Sequence, residues 1–237
     1  MSSTKKDARI AGVLYLLLSF PAYFGLMYVP GKLIVRGDAA ATAGNILASQ
    51  SLFLLGVASE LISPIIFIFV VLALYKLLKG VDSQHASLMV ILVLVQVPIA
   101  FLNEVNQIAA LVLVRGADFL SVFEKPQREA LAMLFLNLHG QGIIVSEIFW
   151  GLWLFPFGLL VARSGFLPRI LGGWLIINGF AYLMMSATSL FFPQFKDVVF
   201  KIAFPALFGE MAMMLWLLVM GAKPQPQHVP ASLSAGG

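Results

Sequence analysis

The sequence predicts an all-α polytopic membrane protein with six transmembrane helices, and three observations carry that expectation. Of its 237 residues, 60% are hydrophobic and only 11% charged, against about 45–50% apolar and about 25% charged in soluble domains. The mean hydropathy is +0.96. The apolar residues fall into six runs, at 10–29, 52–74, 87–114, 131–161, 170–190 and 202–221. Each is long enough to cross a hydrocarbon core of roughly 30 Å at about 1.5 Å of rise per residue. The chain then divides into a cytoplasmic N-terminus (1–9), a six-helix transmembrane domain (10–222) and a tail (223–237) rich in Pro, Ser and Gly. That composition predicts a disordered cytoplasmic tail.

The first run follows Lys5, Lys6 and Arg9 and so imitates a signal peptide. It extends over about 20 residues with no small-residue cleavage site, which makes it a retained anchor. Before the second run, Asp38 is placed to cap "AAATAGNILASQ". Pro126 and Pro193, ahead of the fourth and sixth runs, suit first helical positions. The even-numbered helices are therefore expected to begin with interfacial segments on the outer side.

Six crossings put both termini on one face. Eight basic residues lie there (Lys5, Lys6, Arg9, Lys76, Lys79, Arg163, Arg169, Lys223), against seven opposite (Lys32, Arg36, Arg115, Lys125, Arg128, Lys196, Lys201). The positive-inside rule thus leans slightly toward cytoplasmic termini. The runs also pair into three hairpins that resemble one another. "ARIAGVLYLLLSFPAY" and "PRILGGWLIINGFAY" open the first and fifth spans, and Ser-Glu recurs in the second and fourth, in "ASELI" and "VSEIF". Glu60 precedes Lys76 by 16 residues and Glu147 precedes Arg163 by 16, while Glu210 precedes Lys223 by 13. Internal repeats are common in transporter folds, with the site at the repeat interface.

Polar residues inside these runs are costly unless they face the protein interior. "FLNEVNQIAA" in the third span places Asn103, Glu104, Asn106 and Gln107 within an arc of about 160° at 100° per residue. Counted from the inner end, Glu60, Glu104, Glu147 and Glu210 share one level about 20–26 Å up. "NLHGQGIIVSE" spreads Asn137, His139, Gln141 and Glu147 around the fourth helix, so that helix should be central. His139 falls about 12 Å outward of Glu147. Carboxylates, one imidazole and amides make a hard, oxygen-rich set suited to a cation, a proton relay or a polyol-like headgroup. The expected ligand-binding set is Glu60, Asn103, Glu104, Gln107, Asn137, His139, Gln141, Glu147 and Glu210. The same residues also serve as hydrogen-bonding glue between helices, and that reading stays open.

Several classes are excluded. Absence of cysteine removes disulfides, thiolate metal sites and cysteine nucleophiles. One intramembrane histidine gives neither bis-histidine haem nor a three-histidine zinc site. A formal charge of +4, spread over short loops, is not a nucleic-acid-binding face. No cofactor is implied; the expected partners are the lipid bilayer and a small cation or polar amphiphile.

"KLIVRGDAAATAGNILASQSLF", "VPIAFLNEVNQIAAL" and "SEIFWGLWLFPFGLLVARSGFLPRILGGWL" resemble the multi-pass membrane proteins grouped as domain-of-unknown-function family 4386. The resemblance covers about Ala8 to Met220 and implies a bacterial inner-membrane protein. It assigns no role to any residue. The residues themselves point first to binding or transport of a small cationic or polar amphiphilic ligand in an outward-facing acidic pocket. An intramembrane enzyme, hydrolytic or metal-assisted, and an accessory subunit with a structural polar layer are the alternatives.

Overall fold

A computed structural model describes residues 3–223; the tail expected beyond Lys223 lies outside them. Six spans are present, at Thr4–Leu33, Gln50–Leu78, Ser83–Arg115, Lys125–Arg163, Arg169–Phe191 and Pro193–Val219. The first is α1 (Ser3–Tyr23), a π-turn (Phe24–Tyr28) and α2 (Val29–Leu33). A separate helix, α3 (Ala39–Ala48), leads into α4 (Gln50–Leu78), and α5 (Ser83–Arg115) is the third span. The fourth span is α6 (Lys125–Leu152) and α7 (Leu154–Arg163), followed by α8 (Arg169–Phe191) and α9 (Lys196–Val219).

Helix starts follow local chemistry. Asp38 caps α3 through a 2.8 Å bond from Ala41 N. Glu124 and Gln127 form a reciprocal capping box on α6, with Pro126 in the first turn. A separate leading helix occurs only before α4. The fourth span begins directly with α6 at Lys125, and the sixth is preceded by one 3₁₀ turn at Pro193–Phe195. The break between α6 and α7 has a local cause. Pro156 has no N–H to give the carbonyl of Leu152, so the ladder lapses at Trp153.

Each span packs on the next, and α9 returns to α1, so the six form a ring closed in chain order. Glycines set the closest approach. A Cβ on Gly151 would lie 2.7 Å from the Gly179 carbonyl, and one on Gly158 would lie 2.6 Å from that of Gly172. Two antiparallel glycine pairs thus let the fourth and fifth spans touch backbone to backbone. At the terminal end of the ring, Lys76 pairs with Asp7 at 2.9 Å and Arg163 approaches Asp82 at 3.7 Å. Asp82 also caps α5. The main-chain N–H of His85, reinforced by its ring, holds the Asp82 carboxyl below the usual carboxylate range.

Two apolar cores stack along the ring. One, toward the termini, includes Ala8, Phe67, Leu74, Met89, Trp153, Phe157 and Leu217. The other, toward the opposite end, includes Val29, Phe53, Val57, Leu111 and Leu136. Glu60 falls between Val57 and Phe67, and His139 between Leu136 and Trp153. A polar layer therefore separates the cores. The outer surface is apolar, with Phe69, Leu102, Ile177 and Ile202 exposed, as a lipid-facing bundle requires.

Candidate functional site

Inside the ring lies a cavity of about 250 Å³ to which every span contributes. Its wall includes Tyr15 from α1, Glu60 and Phe67 from α4, Gln96 and Glu104 from α5, Ser146 and Trp150 from α6, Tyr182 from α8 and Glu210 from α9. Helical spacing explains the lining. Residues 96, 100, 103 and 104 recur on one face of α5, and 143, 146 and 150 on one face of α6. Three of the four intramembrane glutamates, Glu60, Glu104 and Glu210, thus meet one cavity.

At its end away from the termini, α4, α5 and α6 converge. His139 Nε2 is 3.1 Å from Glu60 Oε2 and 3.0 Å from Glu104 Oε1. The Gln107 amide donates to the other oxygen of each acid, Glu60 Oε1 at 2.8 Å and Glu104 Oε2 at 3.1 Å. All four side chains are buried. Space for them is built in. A Cβ on Gly25, inside the π-turn, would lie 2.5 Å from Glu60 Cγ, and π-turns often accompany such sites. Pro64, one turn past Glu60, removes the ladder donor for Glu60's own carbonyl. One donor atom each from Glu60, Glu104 and His139 lie within 4.8 Å of one another, close enough that the group could hold a metal ion.

The second polar group lies nearer the terminal end. Glu210 accepts hydrogen bonds from Tyr15 and, at 3.4 Å, from the Asn178 amide, and Tyr182 lines the cavity beside it. Both donors are uncharged. Tyr15, Trp150, Trp153, Tyr182 and Phe67 surround that end of the cavity. They form linked ring pairs, Tyr15–Trp153 at 6.3 Å, Phe67–Trp153 at 5.0 Å and Trp150–Tyr182 at 5.9 Å. Gln96 is 4% exposed and lines the same cavity; its Oε1 is buried without a protein partner.

The remaining expected residues divide. Asn103 lines the cavity and donates to the His139 carbonyl at 3.0 Å. Asn137 and Gln141 are exposed on the outside of α6, away from the cavity. Glu147 is half-buried and does not line it, although it interacts electrostatically with Tyr182. The common level expected for Glu60 and Glu147 is thus corrected: His139, not Glu147, faces Glu60. The fourth span has 39 residues and the second 29, so equal spacing from a basic end does not mean equal depth. Sequence reasoning passed over Tyr15, Gln96, Trp150, Trp153 and Tyr182. Their signal was spacing: Gln96 is two turns before Asn103, and Trp150 and Trp153 follow Ser146 at four and seven residues.

Six apolar helical spans around a largely apolar cavity with a few buried polar groups define a multi-pass integral membrane protein. The chain belongs to the family described as domain of unknown function (DUF4386), whose sequence profile matches residues 10–221. It is also similar to a protein of Archaeoglobus fulgidus described as uncharacterized, at 30% identity over 79 residues, or 33% of this chain and 46% of that one. The match therefore spans less than half of that relative. No solved structure matches the chain.

Proposed function

We propose that the protein binds and transports a small amphiphile bearing an ammonium group, in the cytoplasmic membrane with both termini inside. Glu210 carries this reading. Its carboxylate borders the cavity, is supported by neutral donors alone, and stands among aromatic faces. An ammonium supplies the countercharge and is attracted to the ring faces, a contact worth about 2 kcal/mol when desolvated. The apolar remainder of the wall takes a short hydrocarbon portion. A volume near 250 Å³ lies just below the range of roughly 300–1,000 Å³ common for ligand sites, which limits the ligand to a small one. The unpaired Gln96 Oε1 accepts one further N–H or O–H.

Thermal unfolding in detergent tests the reading. Short-chain alkylammonium compounds should stabilise the wild type by mass action, and uncharged alcohols of equal length should not. Glu210→Gln should remove the difference. Equal responses to charged and uncharged ligands, or none to either, would leave the cavity as packing and favour the accessory-subunit role.

A further inference from the structure

We infer that Glu60, Glu104 and His139 form a binding site for one divalent transition-metal ion of the zinc type. The three ligands come from α4, α5 and α6, so one ion would join three consecutive spans. Their approach distances, 3.1 and 3.0 Å from His139 Nε2 to the two carboxylates, are close to the separation of about 3.3 Å between ligands on a tetrahedral ion with bonds near 2.0 Å.

One close contact in this cluster, between Gln107 Nε2 and His139 Nε2, is not used by the bonds to the carboxylates. Gln107 Nε2 has two hydrogens but three neighbours, Glu60 Oε1, Glu104 Oε2 and His139 Nε2, the last at 3.0 Å. If His139 Nε2 carries a hydrogen, it and the Gln107 amide oppose each other as two donors. If Nε2 is bare and both acids are ionised, its lone pair faces two carboxylate oxygens. A cation held by Nε2, Glu60 Oε2 and Glu104 Oε1 turns those three lone pairs into bonds. Gln107 then orients both carboxylates through their outer oxygens, the role that surrounding hydrogen bonds commonly play around metal ligands.

Two observations outside the cluster point the same way. Gln96, 4% exposed, lines the same cavity with an Oε1 that has no protein partner. Glu60 and Glu104 border the cavity while His139 and Gln107 do not, so a fourth coordination position would be reached from the lumen. Two carboxylates and a neutral imidazole balance a dication in a medium where net charge is costly. The imidazole favours zinc-like ions over magnesium or calcium.

The test uses the full chain, purified in detergent and stripped with chelator, with Co²⁺ and Zn²⁺ as probes. One Co²⁺ per chain should bind with visible d–d absorption, be displaced by Zn²⁺, and bind more weakly as pH falls, because protons compete for the ligands. His139→Gln and Glu104→Gln, checked for folding by circular dichroism, should each weaken binding at least about 100-fold. Glu60→Gln provides a third variant should either fail to fold. The His85→Gln/His228→Gln double variant should bind normally. Glu210→Gln should also bind the ion normally while losing the ammonium response, so the two proposals fail separately. Absence of a stoichiometric Co²⁺ or Zn²⁺ site at pH 8 in the wild type overturns the inference, as does binding that follows His85 and His228 instead of His139.

Discussion

Asn103 donates its side-chain amide to the main-chain carbonyl of His139 at 3.0 Å, tying α5 to α6 at the point where Glu104 and His139 meet. The contact depends on a glycine. A Cβ on Gly142 would fall 2.0 Å from Asn103 Oδ1, so any larger residue there expels the amide from its place.

Gly142→Ala should therefore destabilise the protein by about 1–3 kcal/mol through overpacking and loss of that bond. Asn103→Ala should cost about 1 kcal/mol. Because both act on one contact, the double variant should lose less than the sum. Denaturation in detergent measures all three, and strict additivity would show that the contact does not couple the helices.

Gly158→Ala and Gly172→Ala should each cost more than Gly142→Ala. Their obstacle is a carbonyl of the facing backbone, at 2.6 Å in both cases, which has no rotamer to yield. Gly173, one residue along α8, has nothing within 4 Å. Gly173→Ala should be neutral, or stabilising by up to about 1 kcal/mol from helix propensity. Equal melting temperatures for all three variants would count against backbone-to-backbone packing of the fourth and fifth spans.

Gln96→Leu should separate stability from binding. Removing a buried, unpartnered carbonyl oxygen should stabilise the ligand-free protein by about 1–3 kcal/mol. The same change should reduce stabilisation by alkylammonium ligands, since it deletes a polar contact in the cavity. A stabilised variant that keeps the full ligand response would remove Gln96 from the site.

Topology is directly accessible, because the chain has no cysteine. Ala40→Cys, on exposed α3, and Gly80→Cys, in the turn between α4 and α5, lie at opposite ends of the ring. In intact cells an impermeant maleimide should label the first and spare the second. The reverse pattern inverts the assigned orientation.

Much of this architecture was legible from length and polarity alone. Six apolar runs became six spans, and the cost of an acid in lipid correctly turned Glu60, Glu104 and Glu210 inward. Depth was not legible. His139 and Glu147 are separated by two turns, and only packing between spans of unequal length decides which of them faces Glu60. Asn137 and Gln141 were placed inside by polarity, yet they lie exposed on α6, where a polar side chain is tolerated near a membrane surface. The aromatic wall was hidden for the opposite reason. Trp150, Trp153 and Tyr182 belong to residue types that every membrane bundle contains, and only the cavity distinguishes them.

The ring closed in chain order has a consequence for biogenesis. Spans emerging one after another each find their neighbour already present, so α4, α5 and α6 bring Glu60, Glu104 and His139 together before the last helix is made. Glu210 has no such opportunity. Its partner Tyr15 sits on the first span, which waits through the synthesis of nearly two hundred residues with one flank uncovered. Docking of α9 is therefore expected to come last, and it converts an open crescent of helices into a closed ring.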